Sequence, residues 1–235
     1  MQNAVCGGRV PPVIEGFDRE SLGDRAYRVI KDMIITRQLE PDAAVPESVL
    51  AKTLGISRSP IKAALTRLQQ DGLIVGEAWK VPHVAPLDAK YVDNVYQVRR
   101  SLEALCARQS IDLLPDEAID AFGKQLDSAG KQLKAGSLGE IQQAHYSFNE
   151  LIASYCNNEL LQTLVAGLQD HLARIRHAGP EDDAPWLTKQ YGFLSDKLDA
   201  MKKRDGDALV AAVTAHLDAF RDRVFAAFEA TPSAR

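Results

Sequence analysis

The stretch from Ser21 to Val84 is punctuated at such short intervals that few folds can accommodate it. Ser21 stands three residues before Asp24, as in a capping box. Ala26, Val29, Ile30, Met33 and Ile34 then recur at i, i+3, i+4, i+7 and i+8 on one helical face. Pro41 and Asp42 break the chain, and a short helix over roughly 47–54 is stopped by Gly55. A third helix is predicted from Ser57 as N-cap, with Pro60 in the first turn, where no amide hydrogen is needed, and with its end at Gly72. The β-prone runs Leu73-Ile74-Val75 and Val81 to Val84 flank Gly76-Glu77-Ala78-Trp79-Lys80 and read as a small hairpin. Three short helices and a hairpin predict a winged helix-turn-helix unit over residues 21–85.

The remainder is helical in pattern. Residues 1–20, with Gly7, Gly8, Pro11 and Pro12, are expected to form a loose tail. Pro86 and Leu87 read as a linker, and Asp88 can cap a helix in which Tyr91, Val95, Val98, Leu102 and Leu105 follow heptad spacing. Helices are predicted over roughly 88–113, 116–135, 138–155, 159–177, 186–203 and 206–229, with no strand among them. The expected fold class is mainly α: the winged unit followed by an all-α antiparallel bundle over residues 88–230.

Charge separates the two parts. The 235 residues carry a net charge of −4, which disfavours a polyanionic partner for the chain as a whole. Residues 1–87, however, hold 11 basic and 10 acidic side chains, and residues 88–235 hold 17 and 22. Within Glu47 to Gln69, Lys52, Arg58, Lys62 and Arg67 face the single acid Glu47, so a nucleic-acid surface belongs to this segment. No apolar run is long enough to span a bilayer and no signal-peptide pattern opens the chain, so a cytoplasmic protein with no membrane partner is expected. Cys6, Cys106 and Cys156 are odd in number and widely scattered, and they are expected to be reduced thiols.

In the third helix Ile61, Ala64, Leu65 and Leu68 form a narrow apolar face, leaving Arg58, Ser59, Lys62, Thr66 and Gln69 elsewhere. A helix that docks on a core while presenting a polar N-terminal part can enter a major groove, where arginine pairs both acceptors of guanine. By itself it could equally be a solvated face; the helix, turn, helix and hairpin order favours the reading role.

Pro41-Asp42, Glu47, Leu50-Ala51, Leu54 to Lys62, Ala64-Leu65, Arg67-Leu68 and Asp71 to Val75 together resemble the winged-helix signature of the GntR family. The resemblance implies a dimeric bacterial regulator bound to a double-stranded operator with inverted repeats. It implies DNA contacts from Arg58 and Lys62, supported by Ser57 and Ser59. Arg67 on the same helix and Trp79 and Lys80 in the wing complete the candidate DNA-binding set, Trp79 being equally compatible with a packed or merely exposed wing position. The chain departs from the family pattern at Asp42, where Gly is usual, Lys62 for Arg, Ala63 for Glu, and Val81 near the wing glycine. Lysine at 62 keeps charge but loses two-pronged geometry.

The region after Asp88 resembles the FCD effector domain of the FadR-type branch. The matching pieces are Tyr96 to Arg99, Leu102-Glu103, Phe148, Asn157-Asn158, Leu160-Leu161, Ala200, Asp205 and His216. The resemblance implies a small-molecule effector. The divalent-metal ligand positions of such domains fall on His145, Asn149, Leu194 and His216; with an amide and an aliphatic chain among them, metal is expected to bind weakly or not at all, and no cofactor is expected. His145 and His216 both lie on apolar stripes and read either as satisfied core residues or, with Asn149, as a polar-ligand site. Arg99 could supply a cation to a carboxylate or pair with Glu103 at i+4. His171 and His177 beside Arg174 and Arg176 read as a mostly exposed helix end.

The leading expectation is a ligand-responsive, homodimeric transcriptional repressor or activator sensing a small metabolite, a carboxylate being one candidate. The alternatives are a ligand-independent architectural DNA-binding protein and a helical metal-dependent hydrolase. No nucleophile motif and no acid or base spaced for an open metal site support the last, so the chain is not expected to be an enzyme.

Overall fold

The computed structural model describes residues 21–77, 80–136 and 139–230, so Trp79 and residues 1–20 lie outside the described residues. Three helices come first: α1 (Leu22–Ile35), α2 (Glu47–Leu54) and α3 (Arg58–Gln70). Ser21 caps α1 as expected, its hydroxyl accepting from the Asp24 amide at 3.1 Å and donating to the Asp24 carboxylate at 2.6 Å. Gly55 closes α2 in the left-handed region at φ 67°. Ala26, Ile30 and Ile34 of α1 and Ile61, Ala64, Leu65 and Leu68 of α3 are buried against one another, so the 3.6-residue periodicity of both helices is spent on one core.

The hairpin is shorter than its β-prone runs. β1 (Ile74–Val75) pairs antiparallel with β2 (His83–Val84), and Val81 stays exposed outside the strand. A bridge between Ala44 and His83 adds the segment before α2 as a third contact. Asp42 sits there at φ 63°, a region that glycine enters freely and that Asp tolerates better than most residues. Its amide donates to the Val84 carbonyl at 3.1 Å, so the departure from glycine is accommodated in the turn that holds the wing.

Seven helices follow: α4 (Ala89–Ser110), α5 (Asp116–Lys134), α6 (Gly139–Ser154), α7 (Glu159–Gly167), α8 (Gln169–Ala178), α9 (Ala184–Lys202) and α10 (Gly206–Ala230). Asp88 caps α4 by accepting from the Tyr91 amide at 2.7 Å. The single helix expected over 159–177 is two: the chain turns at Gly167 and Leu168, where the Leu168 amide bonds the Val165 carbonyl at 3.2 Å. Periodicity alone could not show this, because the apolar spacing continues through the break. The second apolar cluster runs from Val92 to Val224 and is separate from the first, which runs from Ala26 to Val84. Cys106 and Cys156 are free and buried in it. Burial, and then the adjacent Cys156 thiol, push Cys106 up to about 12, so these two are neighbours rather than scattered. No helix among the described residues is long and apolar enough to cross a membrane.

Candidate nucleic-acid interface and ligand pocket

The exposed side of α3 begins at Ser57, whose backbone is extended and whose hydroxyl makes no capping bond. Ser57, Arg58, Ser59 and Lys62 all lie on the solvent side, opposite the buried Ile61, Ala64, Leu65 and Leu68. Neither Arg58 nor Lys62 is paired with an acid among the described residues, and no acidic residue occupies the first turn of α3. Arg67 differs. It pairs with Asp24 at 2.5 Å, and its guanidinium lies 4.1 Å from the centre of the Tyr27 ring, so it ties α3 to α1. Lys80, at the wing, forms an exposed pair with Glu77 at 2.6 Å. Gln69 donates to the Gly76 carbonyl at 2.8 Å and fixes the base of the wing to α3.

A cavity of about 350 Å³ opens among α4, α6, α8, α9 and α10. Tyr96, Leu172, Trp186, Leu187 and Phe220 supply apolar and aromatic walls. The polar lining includes Arg99, His145, Asn149, Gln190 and His216, so all four sequence-predicted effector residues share one site. Across the mouth, the segment between α8 and α9 is tied down by Gln142 donating to Asp182 at 2.5 Å and Arg223 donating to the Glu181 carbonyl at 2.7 Å.

The two imidazoles stack, with ring centres 4.4 Å apart and planes 14° from parallel. Among the described residues, neither buried ring nitrogen of His145 meets a partner in full hydrogen-bond geometry, although the Gln190 amide is near enough to act on the ring. Arg99 donates through Nε to Glu103, as the i+4 alternative expected, and also lines the cavity. Burial, with the charge of Lys197 next, holds both histidines well below the usual range, so both rings are neutral at neutral pH.

Lys197 and Gln190 were missed by sequence reasoning. Lys197 is fully buried, its ammonium 3.1 Å from His216 Nδ1 and 4.4 Å from the centre of the Phe148 ring. Burial lowers it to about 7. A usable signal existed: on α9, Gln190 and Lys197 recur with Leu187, Leu194 and Met201 at spacings of three and four, which places both polar residues on the apolar stripe.

This donor set does not fit a divalent metal. Lys197 faces Nδ1 of His216, and Gln190 Oε1 lies 2.8 Å from Nε2, so both of its ring nitrogens are engaged. Leu194 is buried and has no donor atom, and an ammonium beside a ligand nitrogen would repel the ion. Among the described residues, no group of three or more His, Cys, Asp or Glu could hold a metal.

The helix end read as mostly exposed needs correction. Arg174 of α8 is buried, donating to the carbonyl of Ala85 and, at 3.4 Å, to that of Pro86 in the linker. His171 is half-buried and bonds the Tyr91 hydroxyl at 2.6 Å, and Asp170 pairs with Lys31 of α1 at 3.1 Å. Gly72, at φ 72°, closes α3, and a Cβ there would sit 3.4 Å from His171 Cε1. Only Arg176 and His177 are exposed, at the cavity's edge. Thus α8 touches the cavity through Leu172 and Arg176 and the winged unit through Asp170 and His171.

Known proteins agree with this architecture. Residues 22–78 match the family described as bacterial regulatory proteins, gntR family, and residues 94–219 match the FCD domain. The HTH-type transcriptional regulator YdhC of Bacillus subtilis (strain 168) is 29% identical over 195 residues, covering 82% of this chain and 86% of that protein. The HTH-type transcriptional repressor RspR of Escherichia coli (strain K12) is 21% identical over 207 residues, covering 87% and 90%. Among solved structures, E. coli McbR/YncC shares the fold with a TM-score of 0.66 at 17% identity, covering 88% of this chain and 99% of that one. With the winged helix joined to the seven-helix scaffold and the FCD match spanning more than half its length, this chain belongs to the FCD-domain branch of the GntR family of DNA-binding transcriptional regulators.

Proposed function

We propose that the protein is a cytoplasmic, homodimeric repressor that releases an inverted-repeat operator when a small organic carboxylate enters the helical cavity. In this reading residues 21–85 bind DNA and residues 88–230 bind the effector and a second copy. Ser57, Arg58, Ser59 and Lys62 read the major groove, while Trp79 and Lys80 approach the flanking minor groove or backbone. The observation that carries the effector reading is the set of unpaired buried polar atoms at the cavity: both nitrogens of His145 and Nε2 of Gln190. Buried polar groups are nearly always satisfied, so these point to a ligand with complementary atoms. A purely architectural protein would have no use for them.

A second copy is supported by apolar side chains left in solvent on adjoining helices. Val98 and Leu105 of α4 and Leu160 and Leu164 of α7 are all exposed, Leu160 to 70%. Val98 and Leu105 lie one heptad apart and Leu160 and Leu164 one turn apart, so each helix offers a stripe.

The direct test is operator binding at one fixed salt concentration. Arg58→Ala and Lys62→Ala should each weaken specific binding by about 1–3 kcal/mol while leaving the protein folded. Unchanged affinity in both variants would remove α3 from the role of reading helix.

A further inference from the structure

We propose that Lys197 is the specificity-determining cation of the cavity: through His216 and Gln190 it makes the site select an organic monoanion over a neutral analogue of the same shape, in the absence of any metal. The inference rests on the cavity being the effector site.

The argument starts from charge. Arg99 and Glu103 form a buried pair, and Lys197 is left over, forming no ion pair among the described residues. Among the described groups on the helices around it, Glu103 attracts it, but that single carboxylate is shared with Arg99 and leaves two cations against one anion. α4 presents Arg99 and Glu103, already paired; α6 presents His145; α10 presents His216; and the buried face of α5 is Ile119, Phe122, Gly123, Leu126, Ala129 and Gly130. At the mouth, Arg223 is 3.6 Å from Asp183, and Arg176 lies over the Tyr146 ring on the exposed edge. The buried cluster therefore carries one surplus positive charge whenever Lys197 is protonated. Buried charges are ordinarily balanced, and the open space beside His216 is where one negative charge can enter.

Hydrogen-bond direction leads to the same result. An ammonium only donates, so His216 Nδ1 accepts from Lys197 and the ring proton resides on Nε2. Nε2–H then donates to Gln190 Oε1 at 2.8 Å. The Gln190 amide is thereby fixed with Nε2 left as an unpaired donor in a residue that lines the cavity. Lys197 thus sets a relay whose last member is a donor, and a carboxylate oxygen is the matching acceptor. Without Lys197 the imidazole can change tautomer and the amide can turn over, offering Oε1 to a neutral amide ligand instead.

The experiment uses calorimetric titration of the full-length protein with phenylacetate against phenylacetamide, and hexanoate against hexanamide. These probes combine one carboxylate or its neutral isostere with a body suited to the Tyr96, Trp186 and Phe220 walls. Wild type should bind an acid at least about tenfold more tightly than its amide. Lys197→Met should keep the fold, with a melting temperature equal to or above wild type, because it removes an unbalanced buried charge; it should also lose the acid-over-amide preference. Gln190→Glu, which balances Lys197 internally, should lose the preference as well. The proposal is overturned if no acid binds, if wild type binds acid and amide equally, if either variant keeps the preference, or if Lys197→Met unfolds or melts lower. Operator binding in the same solutions separates the two readings. Lys197-dependent acid binding that leaves operator affinity unchanged defeats the sensing role and keeps this inference; intact operator binding with no acid preference does the reverse.

Discussion

At the scale of single residues, the contrast between Arg58 and Arg67 shows what a sequence can and cannot assign. Both are basic residues of α3, but Arg58 faces solvent without an acidic partner among the described residues, whereas Arg67 is held by Asp24 and lies over Tyr27. Arg67→Ala is expected to lower the melting temperature and to change operator affinity less than Arg58→Ala does. Paired melting curves and gel shifts check this, and an equal loss of affinity in the two variants would return Arg67 to the DNA surface. Caps and apolar faces were legible because they depend on neighbours within one or two turns, as Ser21 with Asp24 and Ile61 with Leu65 illustrate. The partner of Arg67 is 43 positions away, and that of Lys197 is on another helix, so the roles of these cations depend on tertiary packing. The apolar stripe of α9 marks Lys197 as turned inward, but it cannot name the histidine that the lysine meets.

At the scale of elements, α8 is the piece that sequence periodicity hid, since the break at Leu168 interrupts no apolar pattern. The break lets α8 be a separate rod that meets α1, α4 and α7. On it, His171 Nδ1 lies 2.6 Å from the Tyr91 hydroxyl, which can donate to the ring nitrogen or accept from it. Burial first, and then the charge of Arg174, lower the His171 pKa below its ordinary 6.5. The unfolded chain then binds a proton near pH 6.5 that the native state resists. Stability from this group is complete above that pH and is lost as pH falls through and below it. His171→Gln should therefore reduce the slope of stability against pH below the ordinary histidine value of 6.5, by at most about 1.4 kcal/mol per pH unit. Denaturation at several pH values measures the slope, and an unaltered slope would show that His171 titrates freely. His145 and His216, also lowered, contribute in the same sense and remain in the variant as the residual slope.

At the scale of the whole molecule, two apolar clusters must act together if a ligand in one is to be felt by the other, and two copies must associate if an inverted repeat is to be read. Val98→Glu combined with Leu160→Glu places charge on both exposed stripes. Sedimentation should then show monomers with unchanged helical content, and affinity for a two-site operator should fall because the second half-site is no longer bound by the same particle. Within one chain, the described residues that join the clusters include Lys31 with Asp170, His171 against Gly72, and Arg174 with the linker carbonyls. Arg174 is the most deeply placed of these, with 1% of its surface exposed, and it satisfies the carbonyl of Ala85, itself 2% exposed. Replacing it with methionine fills much of the same volume but leaves that carbonyl without a donor, at a cost of about 1–3 kcal/mol. The cost falls on the connection rather than on either cluster, because the side chain meets the linker and the Tyr91 ring, 5.1 Å away. Cooperative unfolding of two cores as one unit requires that their interface outlast partial melting. Wild type is therefore expected to show one calorimetric transition and Arg174→Met two, the lower one belonging to the smaller cluster between Ala26 and Val84. A single transition in the variant at the wild-type temperature would mean that the joint between the units is carried by the other contacts, and that Arg174 does not couple them.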